Sequence, residues 1–216
     1  AIGEVDLDSA IWQGVQLTQI RGPILMDQSG VRFGAMTVSD GMTPRRLSAK
    51  VAGGKLEVDG MSSSSGLGGF TVAASLVDAD LERIACDTRG TPHRFKGRVF
   101  GSVEISGTRA GTHSLRGHGQ LRLRDADVYE LPLVVAMLKM LRVKAPDRSA
   151  FGSSFTQFRI AGPHAYLDEI ELAGDAISLV GNGEVGFDGD VQMTFRSIMG
   201  DAEEQLPAMK RMLGGA

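Results

Sequence analysis

The stretch Gly181-Asn182-Gly183-Glu184-Val185-Gly186 has the glycine spacing of a dinucleotide-binding loop. That loop works because its glycines turn a strand sharply into a helix whose N-terminus receives the pyrophosphate. Here the apolar–polar alternation continues through Phe187, and Asp188-Gly189 turns the chain into another strand. Without the helix, the glycines read as sites where a strand bends or a neighbouring backbone packs closely. A second glycine-rich stretch, Ser62-Ser63-Ser64-Ser65-Gly66-Leu67-Gly68-Gly69, lacks the lysine and following helix of a phosphate cradle. Phe70-Thr71-Val72 begins a strand instead, so a hairpin tip or loop is expected.

The four histidines are His93, His113, His118 and His164. His113 and His118 are the nearest pair, but their spacing fits neither one face of a strand nor the i,i+4 face of a helical metal pair. Surface or turn positions are the expectation. Asp125-Ala126-Asp127 places two carboxylates on one side of an extended chain, which suits a hard cation. A calcium loop needs six or more oxygens and none are gathered nearby, so a turn leading into a helix is favoured. Cys86 is the single cysteine, which rules out an internal disulfide and leaves the compartment open. No nucleophile–base spacing occurs, so only a triad brought together in space would make a hydrolase. The sequence therefore nominates no catalytic, cofactor-binding or metal-binding residue and points to a non-enzymatic protein.

The elements that would have to position any site are mostly strands. The chain has 216 residues, 42% hydrophobic and 23% charged, with a formal net charge of −3. A mild acidic excess without a basic run argues against a nucleic-acid partner. Glycine, at 29 residues, is roughly twice its typical share of about 7%, as expected of many strand ends, bulges and turns. Alternation marks strands around Val5 and Leu7, around Val15 and Leu17, across a hairpin from Pro23 to Phe33, and at Leu56 and Val58. Gly41 to Pro44 predicts another turn. Val99, Val103 and Ile105 share one face of a further strand. From Phe155 onward, short strands at 7-to-10-residue intervals predict a meander, with turns at Gly162-Pro163, Gly174-Asp175 and Asp188-Gly189. A single domain, 1–216, is expected.

The stretch 117–143 combines both element types. Leu121 and Leu123 alternate with polar residues, Asp125-Ala126-Asp127 breaks the strand, and Pro132 opens a helix over about 131–143. That run would span about 17 Å, too short for a hydrocarbon core of about 30 Å. A second helix is predicted over about 201–213, where Asp201 and Glu204 have capping-box spacing. Leu76-Val77-Asp78-Ala79-Asp80-Leu81 echoes Leu123-Arg124-Asp125-Ala126-Asp127-Val128 in register, as a repeated β unit ending in a helical turn would. The chain begins abruptly in strand-like sequence, and we expect it to be part of a longer protein.

Two helices are too few to cover the apolar face of so many strands. The sheet must either close on itself as a sandwich or half-barrel plugged by the helix, or stay open as a curved sheet with an apolar trough. The trough-facing candidates are Leu121, Leu123, Ile177, Leu179, Val185, Phe187, Met193 and Phe195, with the 131–143 helix capping or flanking them.

Phe95-Lys96-Gly97, Val99-Phe100-Gly101-Ser102-Val103 and the run from Leu115 to Asp127, followed by an apolar helix, resemble the C-terminal region of AsmA-like envelope proteins. Phe155 to Ile160 and Ile170 to Phe187 extend the likeness, which covers about residues 95 to 200. The resemblance implies a mainly β, antiparallel groove protein whose parent is anchored in the inner membrane by an N-terminal helix. It implies a periplasmic location, an apolar interior and a link to phospholipid movement and outer-membrane maintenance. Phospholipid or another acyl-chain lipid and the remainder of the parent chain would be the partners. The resemblance brings no catalytic residues or cofactor, and it makes Gly181-Asn182-Gly183 structural. The rival expectation is a structural or protein-interaction module with sealed apolar faces and pairing edges.

Overall fold

Period-two alternation carries most of the chain into strands, and the structure, a computed structural model, joins these into one antiparallel sheet. It describes residues 2–12, 14–37, 45–89, 96–126, 152–174 and 177–199, without the side chains of 85, 87–89, 177 and 199. The predicted helices at 131–143 and 201–213, the turn at 41–44 and His93 lie outside the described residues.

The strands are β1 (Ile2–Trp12), β2 (Val15–Asp27), β3 (Gly30–Phe33), β4 (Leu47–Val51), β5 (Gly54–Ser63), β6 (Phe70–Asp80), β7 (Arg98–Gly107), β8 (Arg116–Arg124), β9 (Ser153–Ala161), β10 (His164–Ala173), β11 (Ile177–Gly186) and β12 (Val191–Met199). Apart from β3 and β4, sequence neighbours pair antiparallel, so the twelve strands form a meander with β1 and β12 at its edges. One interruption occurs. β3 pairs with the last residues of both β2 and β5, β4 with earlier residues of the same two strands. β3 and β4 thus share one slot, and a short helical turn, Gly34–Thr37, follows β3 directly. The expected 155–199 meander is present as β9 to β12. The glycine-rich motif at 181–186 lies inside β11, and the serine-rich stretch forms the β5–β6 connection, closed by Ser63 N donating to Gly69 O at 2.7 Å.

Among the described residues one α-helix occurs, α1 (Leu81–Arg89), between β6 and β7. The short helix expected after Asp78-Ala79-Asp80 is therefore present, and the Asp80 carboxylate accepts a hydrogen bond from Arg83 N at 3.2 Å, capping the first turn. The echo at Asp125-Ala126 is structural too. Asp78 and Asp125 both take left-handed backbone, at φ 59° and 49°, a conformation aspartate tolerates better than most side chains. Each alanine that follows is buried, Ala79 at 0% and Ala126 at 4% exposure. Each also sits against a glycine: a Cβ at Gly54 would fall 2.6 Å from Ala79 Cα, and one at Gly97 would fall 2.9 Å from Ala126 Cα.

The connections at the two ends of the sheet differ. Tight turns close one end, at Gln28-Ser29, Gly162-Pro163 and Phe187 to Asp190. The other end carries the β4–β5 turn at Ala52-Gly53, α1, Asp125, Ala126 and Gly152 beside the ends of β8 and β9, and the last residues of β12. The main core lies there: Ala79, Val99, Leu123, Ala126, Ile170, Leu172 and Leu179 are buried together, with Leu81 and Ile84 of α1 packed against them. No helix among the described residues is long and apolar enough to cross a membrane.

Candidate functional site: the apolar face of the sheet

In an antiparallel ladder, residues directly opposite one another share a face. Reading the register across β6 to β12 gives three rows on one face, each contributed by all seven strands. One runs Val72, Ile105, Gly117, Ile160, Ala165, Val185, Val191. The next runs Ala74, Val103, Gly119, Phe158, Leu167, Gly183, Met193, and the third runs Leu76, Gly101, Leu121, Thr156, Ile170, Gly181, Phe195. Thr156 is the one polar side chain in the three rows. A fourth row, Ala79, Val99, Leu123, Ser154, Leu172, Leu179, Ser197, belongs to the core end.

The ladder places seven of the eight sequence candidates on this face. Leu121, Val185, Met193 and Phe195 stand in the three rows, Leu123 and Leu179 in the core row, and Ile177 at the next register position beyond Leu179, opposite Met199. Phe187 does not join them. The strand ends at Gly186, Phe187 N donates to Pro163 O at 3.0 Å, and the side chain is 50% exposed in the β11–β12 turn. Alternation alone extends a face past the residue at which the ladder stops. The two core-row leucines are buried, Leu123 at 7% and Leu179 at 1%, whereas Leu121 keeps 42% exposure. Towards the tight-turn end Val72, Val103, Ile105, Ala165, Val185 and Met193 are half-buried, and Val191 is exposed. The sequence reading did not nominate the β6, β9 and β10 members of these rows, although period two within each strand carries the signal.

The glycines have a specific place. Phe33 faces Gly60, Phe70 faces Gly107, Phe158 faces Gly119 and Phe195 faces Gly181, each pair directly opposed. In all four, an added Cβ would fall within 2.4 to 2.9 Å of a carbon of that ring. The rings therefore lie over the glycines of the adjacent strand and cover the bare backbone. Gly183 is covered in the same way by Met193, whose Cγ would lie 2.7 Å from the added atom. The result is an apolar surface of low relief.

The opposite face is wet and charged. Arg159 Nε donates to both oxygens of Asp168 at 2.9 Å, and its guanidinium carbon Cζ lies 5.0 Å from the centroid of the Tyr166 ring. His164 Nδ1 contacts Glu184 at 2.6 Å, and Arg46 bridges Glu57 and Asp59, both at 3.2 Å. The Glu57 carboxyl is held below the usual carboxylate range, chiefly by the hydrogen bond from Lys55 and further by Arg46. Near the core end this face also becomes dry: Phe155 is buried beside Arg122, and burial, with the Arg124 charge adding to it, lowers the Arg122 guanidinium from its ordinary value. Among the described residues no group of three His, Cys, Asp or Glu could hold a metal ion. His113 lies in the short helical turn 112–114, His118 on the wet face, and Cys86 half-buried in α1.

The three rows of this face contain no ionisable side chain, and their one hydroxyl is that of Thr156. What the face can do is desolvate apolar matter. No protein-family model, curated protein or solved structure matches the chain.

Proposed function

We propose that this chain is a non-enzymatic lipid-handling module in which the acyl chains of a phospholipid, or of another acyl-chain lipid, lie along the apolar rows of β6 to β12. The observation that carries this reading is the pairing of continuity with exposure. Three rows cross seven strands with Thr156 as their one polar side chain, yet Leu121, in the row next to the core, keeps 42% exposure. The rows extend over six interstrand spacings, about 29 Å, enough to shelter a long hydrocarbon tail. Each methylene moved from water onto such a surface gains up to about 0.8 kcal/mol. Apart from the Thr156 hydroxyl the rows offer no directional contact, so the tail is free to slide and the headgroup stays at the solvated rim. Under this reading the sheet is a groove, the chain works in the periplasm, and it belongs to a longer AsmA-like protein anchored in the inner membrane.

The test is mass spectrometry of an organic extract of the purified chain, with displacement of a fluorescent fatty acid as the second measurement. Co-purifying phospholipid and saturable probe binding are expected. A chain free of lipid that also leaves the probe in water removes the proposal.

A second reading has its own observation. β1 is an eleven-residue edge strand without lysine or proline, and it exposes Ile2 at 76%, Ile11 at 78% and Trp12 at 69%. Such an edge suits pairing with another strand. A structural or interaction module would use that edge and leave the apolar rows without ligand, which the same extraction distinguishes.

A further inference from the structure

On the wet face, opposite the apolar rows, β6 and β7 carry short side chains where their neighbours carry long ones. Ala73, Ser75 and Ser102 form the floor of a cleft of about 430 Å³, with Glu57 and Asp59 of β5 on one side and Gln120 and Gln157 of β8 and β9 on the other. That volume falls within the range of small-molecule sites, about 300 to 1,000 Å³. Ser75, Ser102, Gln120 and Gln157 stand directly opposite one another in a single row across four strands, and Glu104 faces His118 in the next row. None of these six side chains meets a hydrogen-bond or ionic partner among the described residues. The contrast with the rest of this face is sharp: Arg46 is committed to Glu57 and Asp59, and Arg159 to Asp168.

We propose that this cleft is a binding site for a neutral oligosaccharide. The two hydroxyls and two amides both donate and accept, the Glu104 carboxylate accepts, and the His118 ring does one at each nitrogen. A ligand satisfying all of them must itself donate and accept at closely spaced positions, as the vicinal hydroxyls of a sugar do. An anion is not matched, because the one arginine of the cleft is already paired and Glu104 repels it. A purely apolar ligand would leave the hydroxyls, amides and carboxylates of the cleft unmatched, and the apolar lining of Ala73, Ala74 and Val103 suits the C–H faces of sugar rings. The row of four covers three interstrand spacings, about 14 Å, which suits a short chain of rings lying flat on the sheet. The site is independent of the lipid reading, since it uses the other face of the same strands.

The test is an amide-resolved NMR titration of the 216-residue chain with cellotetraose, maltotetraose and chitotetraose in turn. At least one should produce saturable shifts at the amides of Ser75, Ser102, His118, Gln120 and Gln157. The Gln120→Ala/Gln157→Ala double variant should weaken that binding about tenfold or more, the loss expected of two hydrogen bonds. Ser102→Phe, which fills the floor, should abolish it, with circular dichroism confirming the fold. Should Ser102→Phe not fold, the glutamine variant carries the test, because both positions are solvent-facing. Absence of saturable shifts with all three sugars overturns the proposal, as do shifts unaffected by loss of both glutamines.

Discussion

Replacing Gly181 by alanine is the sharpest test of the ring-over-glycine packing. The new Cβ would lie 2.4 Å from Phe195 Cδ1 and 2.4 Å from Thr194 O. Ordinary contact begins near 3.4 Å, so the atom intrudes by about 1 Å on a ring carbon and on a backbone oxygen together. The ring can rotate away, but the carbonyl belongs to the paired strand and moves only with it. Overpacking of this kind costs about 1 to 3 kcal/mol, and displacing the Phe195 ring forfeits part of the roughly 1.5 to 3 kcal/mol that its burial contributes. Alanine recovers about 0.4 to 1 kcal/mol by restricting the unfolded chain. The expected net is a loss of about 2 kcal/mol. Gly152 is the control, since nothing among the described residues lies within 4 Å of its added Cβ and its φ is not in the left-handed region. Gly152→Ala should fall between neutral and about 0.5 kcal/mol more stable. Urea unfolding of both variants, followed by circular dichroism, reads the difference as a shift in midpoint at constant slope. Equal midpoints for the two variants would refute the packing argument, because the geometry then would not govern which glycines are required.

The same unfolding assay separates the two leucines of β8. Leu123→Ala, at 7% exposure in the core cluster, should cost about 2 to 4 kcal/mol, whereas Leu121→Ala, at 42%, should cost under about 1 kcal/mol while weakening acyl-probe binding. At Asp125, with φ 49°, substitution by valine should cost about 1 to 2 kcal/mol and substitution by glycine should not destabilise, since only the β-branched side chain opposes left-handed backbone. The Glu57 carboxyl titrates below its ordinary range in the folded chain, so its contribution is full above the unfolded-state value and disappears as pH falls through the folded one. Glu57→Gln should therefore be less stable than the parent at neutral pH, by under about 1 kcal/mol for so accessible a pair, and the gap should close on acidification.

Period two was the legible signal. Leu121 and Leu123, Ile177 and Leu179, and Met193 and Phe195 each alternate within a strand, and a meander of short connections leaves the ladder little choice but to place them on a common face. Phe187 shows where this fails, because alternation does not mark the turn that Gly186 N closes by donating to Asp190 O at 2.8 Å. The single slot shared by β3 and β4 was illegible for a related reason. Its two halves are too short and too far apart in sequence to announce that they lie in line. The pairing of Phe33, Phe70, Phe158 and Phe195 with glycines was hidden because it depends on register between strands, and composition showed only that glycine was abundant. On the wet face, the row of Ser75, Ser102, Gln120 and Gln157 draws on four strands that extend over more than eighty residues of sequence, and no local motif encodes it.

The glycine–ring pairs also bear on why such a face would suit hydrocarbon better than a protein partner. Protein interfaces gain specificity from anchors that fill pockets, and those pockets need relief. Setting Phe158 and Phe195 against Gly119 and Gly181 removes relief from the rows, at β8–β9 in the middle and at β11–β12 on the edge. A partner's side chain finds little to lock into there, but a flexible acyl chain, which has no directional groups, loses nothing on a smooth surface. If the face were meant to receive a protein, breaking one ring–glycine pair by Phe158→Ala would open a hollow that alters affinity for one partner strongly. For acyl chains the same change should lower probe affinity only in proportion to the area removed, and equally across probes of different headgroup. Titrating Phe158→Ala with acyl probes that differ only in headgroup therefore distinguishes a sliding surface from a keyed one.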